Sequence, residues 1–445
     1  MNKHLGGSKQ RQWAFIPFNP QRWPFFYGWV IVAAATVGII ASVPGQTIGV
    51  GVFTDALVAA LTLSRTQLTV AYMLGTIGSS FLLPLAGTLT DRWGTRAMIT
   101  GSALGLGGSL LVMMQLHRLP RVIHSVYGLV GAAAVVFLLI RFFGQGCLTM
   151  VSRIAIGKWF DRRRGLATGI SNIMVSYFFN VSPFLLNAWV DSVGWRLTYL
   201  RLAGIAGLGM AVVGWVFFRN SPEACGLRMD GDNQGGAGVV KRKRIPAIAH
   251  QFTRGEALRT PAFWAYTLST AWQALFMTAV GFHLTGMGQE QGLSREACYA
   301  VFPVIGIVSA VSALVGGWLS DRIRLRWLLQ TTVLCQMLSA LGLFGLSGSV
   351  GRLVFIVGYG VSVALFGLLL TTVWPRYYGR KHLGAISGLA MSTLVFASAI
   401  GPFLFSAIRD TSASYQPVFL AAAGIPLGLF ALTIFARNPQ RLRSM

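Results

Sequence analysis

Gly87-Thr88-Leu89-Thr90-Asp91-Arg92-Trp93-Gly94-Thr95-Arg96 reads as a short polar turn between two apolar runs, and a second version begins at Gly317 with Asp321-Arg322 in the same places. The paired residues lie 230 apart, as do Leu63-Ser64-Arg65 and Leu293-Ser294-Arg295. Further along, Gly165, Gly169 and Pro183 match Gly384, Gly388 and Pro402 at a spacing of 219. Self-similarity on this scale means two copies of one unit in the same orientation.

The runs around these turns set the class. Of 445 residues, 54% are hydrophobic and 11% charged, with mean hydropathy +0.61, whereas soluble chains carry roughly 25% charged residues. Stretches of about 20 apolar residues, enough to cross a bilayer core, are expected at 28–53, 66–89, 97–116, 124–150, 165–188, 197–218, 262–286, 296–320, 327–347, 351–373, 384–408 and 415–436. The expected fold is an all-α polytopic membrane protein with twelve transmembrane helices in two six-helix parallel repeats. The expected division is an N-terminal tail (1–27), an N-terminal six-helix bundle (28–218), a basic linker (219–261), a C-terminal six-helix bundle (262–436) and a tail (437–445). The first run lacks a small-residue cleavage pattern and reads as a span, not a removable signal.

Charge gives direction. The excess of 37 Lys+Arg over 12 Asp+Glu sits in short loops, so it reads as a topology signal rather than a nucleic-acid surface. Only Arg65, Arg118, Arg121, Arg196, Arg295, Arg352 and Arg409 lie in loops on the opposite side. Both termini and the linker, with its Lys241-Arg242-Lys243-Arg244 run, are therefore expected in the cytoplasm and the protein in the cytoplasmic (inner) membrane, in contact with its lipids. Cys147, Cys225, Cys298 and Cys335 have neither CxxC spacing nor a zinc pattern. No cofactor or metal is expected.

The first turn resembles the major facilitator signature G-x-x-x-D-R-x-G-x-R between spans two and three. That resemblance implies the major facilitator fold and gives Gly87, Asp91, Arg92, Gly94 and Arg96, with Asp321 and Arg322 in the second copy, the role of a conformational latch. Physically, glycine lets helices approach closely, and an aspartate facing a helix N-terminus makes a breakable electrostatic contact. The second copy has Arg324 where Gly94 stands in the first, so a weaker second latch is expected. Lys158-Trp159-Phe160-Asp161-Arg162-Arg163-Arg164-Gly165-Leu166-Ala167-Thr168-Gly169, Phe26-Tyr27-Gly28-Trp29 and Ser221-Pro222-Glu223-Ala224-Cys225-Gly226-Leu227 are similar to the bacterial monocarboxylate and oxalate/formate branch. The charges that bind substrate in that branch, in spans eight and eleven, have no counterparts here. The drug-antiporter pattern of span five is replaced by Phe178-Phe179-Asn180-Val181-Ser182-Pro183-Phe184.

Polar residues inside spans are the candidate site. Arg141, in Arg141-Phe142-Phe143-Gly144-Gln145-Gly146, is costly in a bilayer and marks function by default. Gln145 lies one turn on and shares its face. Gln46 beside Pro44-Gly45, Asn172, Gln273 beside Trp272, and Tyr359 complete the candidate substrate-binding set, and His283 is a candidate proton site. Apart from Glu296, at the first position of 296–320, no acidic residue sits within a span, which argues against a cavity for cationic drugs and against a carboxylate proton relay. The expected function is secondary transport of a small organic anion, a monocarboxylate or dicarboxylate, coupled to a proton or counter-substrate, by a monomer using alternating access. Efflux of apolar or zwitterionic compounds is the alternative within transport. A sensor on the same scaffold is the alternative outside it, and an enzyme is disfavoured because no acid/base pair or metal constellation is present.

Overall fold

The computed structural model describes residues 15–231 and 248–442. The Lys241–Arg244 run, most of the N-terminal tail and residues 443–445 lie outside the described residues. Twelve spans follow one another. They are α1 (Gly28–Gly51), α2 and α3 (the arms of Arg65–Met114 before and after Gly94), α4 (Val126–Trp159), α5 and α6 (the arms of Arg164–Phe217 before and after Gly194), α7 (Pro261–Glu290), α8 (Arg295–Ser320), α9 (Leu325–Phe344), α10 (Ser349–Tyr378), α11 (Leu383–Ser412) and α12 (Gln416–Thr433). Among the described residues, nine helical stretches are long and apolar enough to cross a membrane, two of them holding a pair of spans each. Helix α7 is not among them. Its Thr267, Ser269, Thr270 and Gln273 are buried by protein rather than lipid, so its sequence need not be apolar all round.

The α2–α3 turn is made by Gly94 at φ +85°, a backbone state open to glycine at no steric cost. Residue 324, its counterpart, is extended at φ −71° and ψ 131°. The glycine-to-arginine change therefore reflects a differently shaped turn. Helix α1 breaks at the turn Val43–Gly45 before resuming at Thr47–Gly51, where Pro44 removes a backbone donor. Two helices run further than their hydropathy suggests: α4 continues to Trp159 and α10 to Tyr378. Their last turns are held by side-chain packing, Trp159 against Phe26 and Tyr27 and Tyr378 against Phe252 and Phe263, which window hydropathy does not register.

One end of the molecule gathers the start of α1, the end of α6 and the loops after α2, α4, α8 and α10; we call it the basic end. The described parts of the central linker pack onto it. Asp230 accepts from the amides of Asp161, Arg162 and Arg163 at 2.9–3.3 Å. Gln251 accepts from those of Arg380 and Lys381 at 2.8 and 3.0 Å. These loops are equivalent in the two repeats, 219 residues apart, so each is capped by one side chain of the linker. Tyr27 donates to the Phe217 carbonyl at 2.7 Å and Gln21 to that of Cys225 at 2.7 Å, tying the chain before α1 to the chain after α6. Arg380 crosses between halves, donating to the Lys158 carbonyl and to Glu223 at 2.8 and 2.7 Å. Burial opposes ionisation of Glu223, yet the Arg380 hydrogen bond holds its carboxyl below the usual glutamate range.

Asp230→Ala leaves three amides at the start of α5 without their acceptor. Loss on the order of 2 kcal/mol is expected, read as a lower melting temperature and as faster hydrogen exchange confined to residues 161–166.

Candidate functional site

Two carboxylates join the halves at the basic end. The Oδ1 and Oδ2 of Asp91, at the end of α2, accept from the amides of Gly384 and Ala385 at the start of α11, both at 2.8 Å. Asp321, at the end of α8, takes the amides of Gly165 and Leu166 at the start of α5 at 2.9 and 3.0 Å. The first amides of a helix have no partner within it and carry its positive end, so each carboxylate fills both needs. The approach depends on small residues: a Cβ on Gly388 would lie 2.7 Å from the Leu83 carbonyl, and one on Gly169 2.7 Å from that of Ala313.

The second contact has the same two-amide geometry as the first. Asp321 has the same pair of amide donors as Asp91 and pairs in addition with Arg376 at 3.1 Å, while Arg376 also donates to the Ser320 carbonyl at 2.5 Å. The other signature residues stand apart from this contact. Arg96 turns inward to the carbonyls of Trp215 and Ile16 at 2.7 and 2.8 Å and stacks 4.4 Å from the Trp215 ring. Arg92 is exposed. Arg322 lies over Trp318 at 3.9 Å.

Deeper in, Arg141 is buried and its Nη1 donates to the carbonyl of Gly45, at the α1 break, and to Thr47 Oγ1, at 3.1 and 3.3 Å. Its guanidinium lies 5.1 Å from the Tyr72 ring, a cation–π contact. The Nε has no partner. Arg141 and Gln145 fall in a widened turn of α4, Arg141–Leu148, with i→i+5 bonding, a feature common at functional positions. Gln46 donates to Ser42 and Thr149 hydroxyls at 2.9 and 3.3 Å. These groups form one cluster within the N-terminal half.

The C-terminal half contributes a separate, mostly aromatic cluster. Gln273 is fully buried with neither amide atom hydrogen-bonded, next to Trp272 with an unpartnered indole nitrogen. Phe276 lies 6.3 Å from both Trp272 and Tyr359. Asn172 stands apart from both clusters, its side chain against Gly367 of α10 and its Nδ2 without a partner. His283 is at the opposite end of α7, between the Tyr415 hydroxyl and the Pro402 carbonyl, each at 3.0 Å. It joins α7, α11 and α12 within one half.

One charged residue nearer the basic end escapes a sequence reading that ends span four at residue 150. Arg153 of α4 donates through Nη1 to the Gly367 carbonyl at 2.6 Å and to Thr371 Oγ1 at 3.1 Å, both on α10. The sign in the sequence is its setting, Met150-Val151-Ser152 before it and Ile154-Ala155-Ile156 after it.

Residues 31–402 match the Major Facilitator Superfamily, and the chain belongs to that family. It is a transporter, not an enzyme. It is 25% identical over 369 residues to the oxalate:formate antiporter of Oxalobacter formigenes, covering 79% of this chain and 78% of the relative. It is 23% identical over 393 residues to the hexuronate transporter of Bacillus subtilis, covering 82% and 84%. Its fold is similar to that of the human organic anion transporter MFSD10 (TETRAN), with TM-score 0.65 and 14% identity over 93% of this chain and 100% of that one.

Replacing Asp91 by Asn leaves one acceptor where two amides point, and Asp91→Asn is expected to open the basic end. The near-isosteric Ser387→Cys, buried at the same seam in the closed form, should then react at least about tenfold faster with a membrane-impermeant maleimide, the ratio set by loss of roughly 1.4 kcal/mol of closure.

Proposed function

We propose that the protein is a secondary active transporter that moves a small organic anion, a monocarboxylate or dicarboxylate, across the cytoplasmic membrane by alternating access. The observation that carries this reading is the sign of the interior charge. Arg141 and Arg153 lie inside spans, whereas all 12 Asp and Glu occupy helix ends, loops or the linker. An uncompensated cation at membrane depth is unfavourable unless something offsets it, and an anionic substrate does so. A cationic substrate would meet repulsion on the same path. The names of the oxalate:formate and hexuronate relatives support the same class.

The candidate substrate groups are Arg141, Gln145 and Gln46 from one half, Gln273 and Tyr359 from the other, and Asn172 of α5, against α10. Buried amides without partners are rare and call for an occupant, and a carboxylate takes donors from Gln273 and Asn172 alike. In this reading Asp91 and Asp321 close the cytoplasmic side, and their release exposes the site inward while the opposite end closes. The driving gradient is a proton or a counter-substrate. The aromatic cluster around Phe276 favours a second reading, efflux of apolar or zwitterionic compounds.

Purified protein in detergent is to be heated with oxalate, lactate, hexuronate, amino acids and cationic drugs. At about 100 times its dissociation constant a ligand adds roughly 2.7 kcal/mol to stability. A carboxylate series is expected to raise the melting temperature in the parent, with the shift lost in Arg141→Gln and partly kept in Arg141→Lys. Stabilisation by drugs alone would replace the anion reading with efflux.

A further inference from the structure

Arg153 occupies a place that neither the family signature nor the cluster around Arg141 explains. It lies twelve residues beyond Arg141 on α4, about 18 Å nearer the basic end at 1.5 Å per residue. Among the described residues, it is the cation whose side chain hydrogen-bonds from one half to the other between the Arg141 level and the carboxylate contacts. Its two acceptors, the Gly367 carbonyl and the Thr371 hydroxyl, are neutral, and its Nε has no partner. The side chain borders a small cavity of about 20 Å³, shared with Thr371, Trp374 and Ser387, which is room for about one water-sized group. Asn172 packs against the same Gly367 with an unpartnered Nδ2.

We propose that Arg153 is a second anion-binding residue, a contact for the substrate carboxylate on the basic-end side of the central site. It rests on the anion reading above and adds a place and an order of events to it. With the basic end closed, the guanidinium is held by Gly367 and Thr371. When the halves part there, α10 withdraws and Arg153, with Asn172 one helix away, faces the opening as a fixed positive charge. A carboxylate offers a paired, charge-assisted contact stronger than that of a carbonyl and a hydroxyl. Binding of the anion and closure onto Gly367 compete for one guanidinium, so substrate arriving from this side favours the open form by its differential affinity. Thr371 is a positioning residue that acts through Arg153.

The test uses full-length protein in proteoliposomes of both orientations, with labelled oxalate, lactate and hexuronate as probes and half-saturating concentration measured separately at each face. Arg153→Gln is expected to raise that concentration at the basic face about tenfold or more, with less than about a twofold change at the other face. Arg153→Lys is expected to fall between. Thr371→Val removes one of the two competing acceptors and leaves the Gly367 carbonyl, so it is expected to move the basic-face value the other way, by a smaller amount, toward tighter binding. If Arg153 were only a clamp between halves, Arg153→Gln would tighten the basic face just as Thr371→Val does, and that result overturns the proposal. Equal changes at both faces, or none, overturn it as well. Should Arg153→Gln fail to fold, the opposed signs of Arg153→Lys and Thr371→Val decide the same point. Uptake of no carboxylate by the parent overturns the anion reading itself, and this inference with it.

Discussion

Asp91 and Asp321 each direct both carboxylate oxygens at the first amides of a helix in the other half, and most of the basic end is arranged so that they can reach. The amides must be unpaired and held at a helix start, which Asp230 and Gln251 secure by capping the preceding loops. The helices must come close, which glycine at positions 87, 165, 317 and 384 permits. The ion pair of Asp321 with Arg376 and the reach of Arg380 to Glu223 add electrostatic contacts around the same seam. Such contacts are strong when aligned and are lost together on small displacement, because hydrogen bonds weaken steeply with angle and distance.

Residues of the sequence motifs sit where local chemistry needs them, and the repeat announces itself through them. Gly87, Asp91 and their copies are legible because an aspartate after a small-residue helix end has few other uses, and because the two copies check each other. The spans are legible by hydropathy, except that α7 is recognisable only by length and by its place in the repeat. The ends of α4 and α10 were not legible, since Arg153 and Arg376 look like loop charges until the helices beneath them are known to continue. The fold-back of the linker was also hidden: Asp230 caps a loop 67 to 69 residues away in sequence, and nothing local marks it. The expected inequality of the two latches came from reading Gly94 as part of the contact, when it shapes the turn behind it.

The candidate site was legible in its composition but not in its grouping. Arg141 holds the residues on either side of Gln46, at the α1 break that Pro44 and Gly45 foretell. Gln273 and Tyr359 gather around Phe276 in the other half, and His283 belongs to a contact among α7, α11 and α12. The charge pattern is the firmer guide: cations at depth, carboxylates only at ends. One sign of charge lies inside and the other at the seam, so the aspartates remain available for helix N-termini, and in the proposed reading the interior cations are what draws an anion.

The account stands or falls on whether the carboxylate contacts hold the basic end shut and a carboxylate substrate releases it. Spin labels at Arg163 and Arg324, exposed residues on opposite halves, allow the separation to be measured by pulsed dipolar spectroscopy in lipid. A single short distance is predicted for the parent without substrate, a second longer population when a stabilising carboxylate is added, and the longer one without substrate in the Asp91→Asn, Asp321→Asn double variant. An unchanged distribution in all three would contradict it.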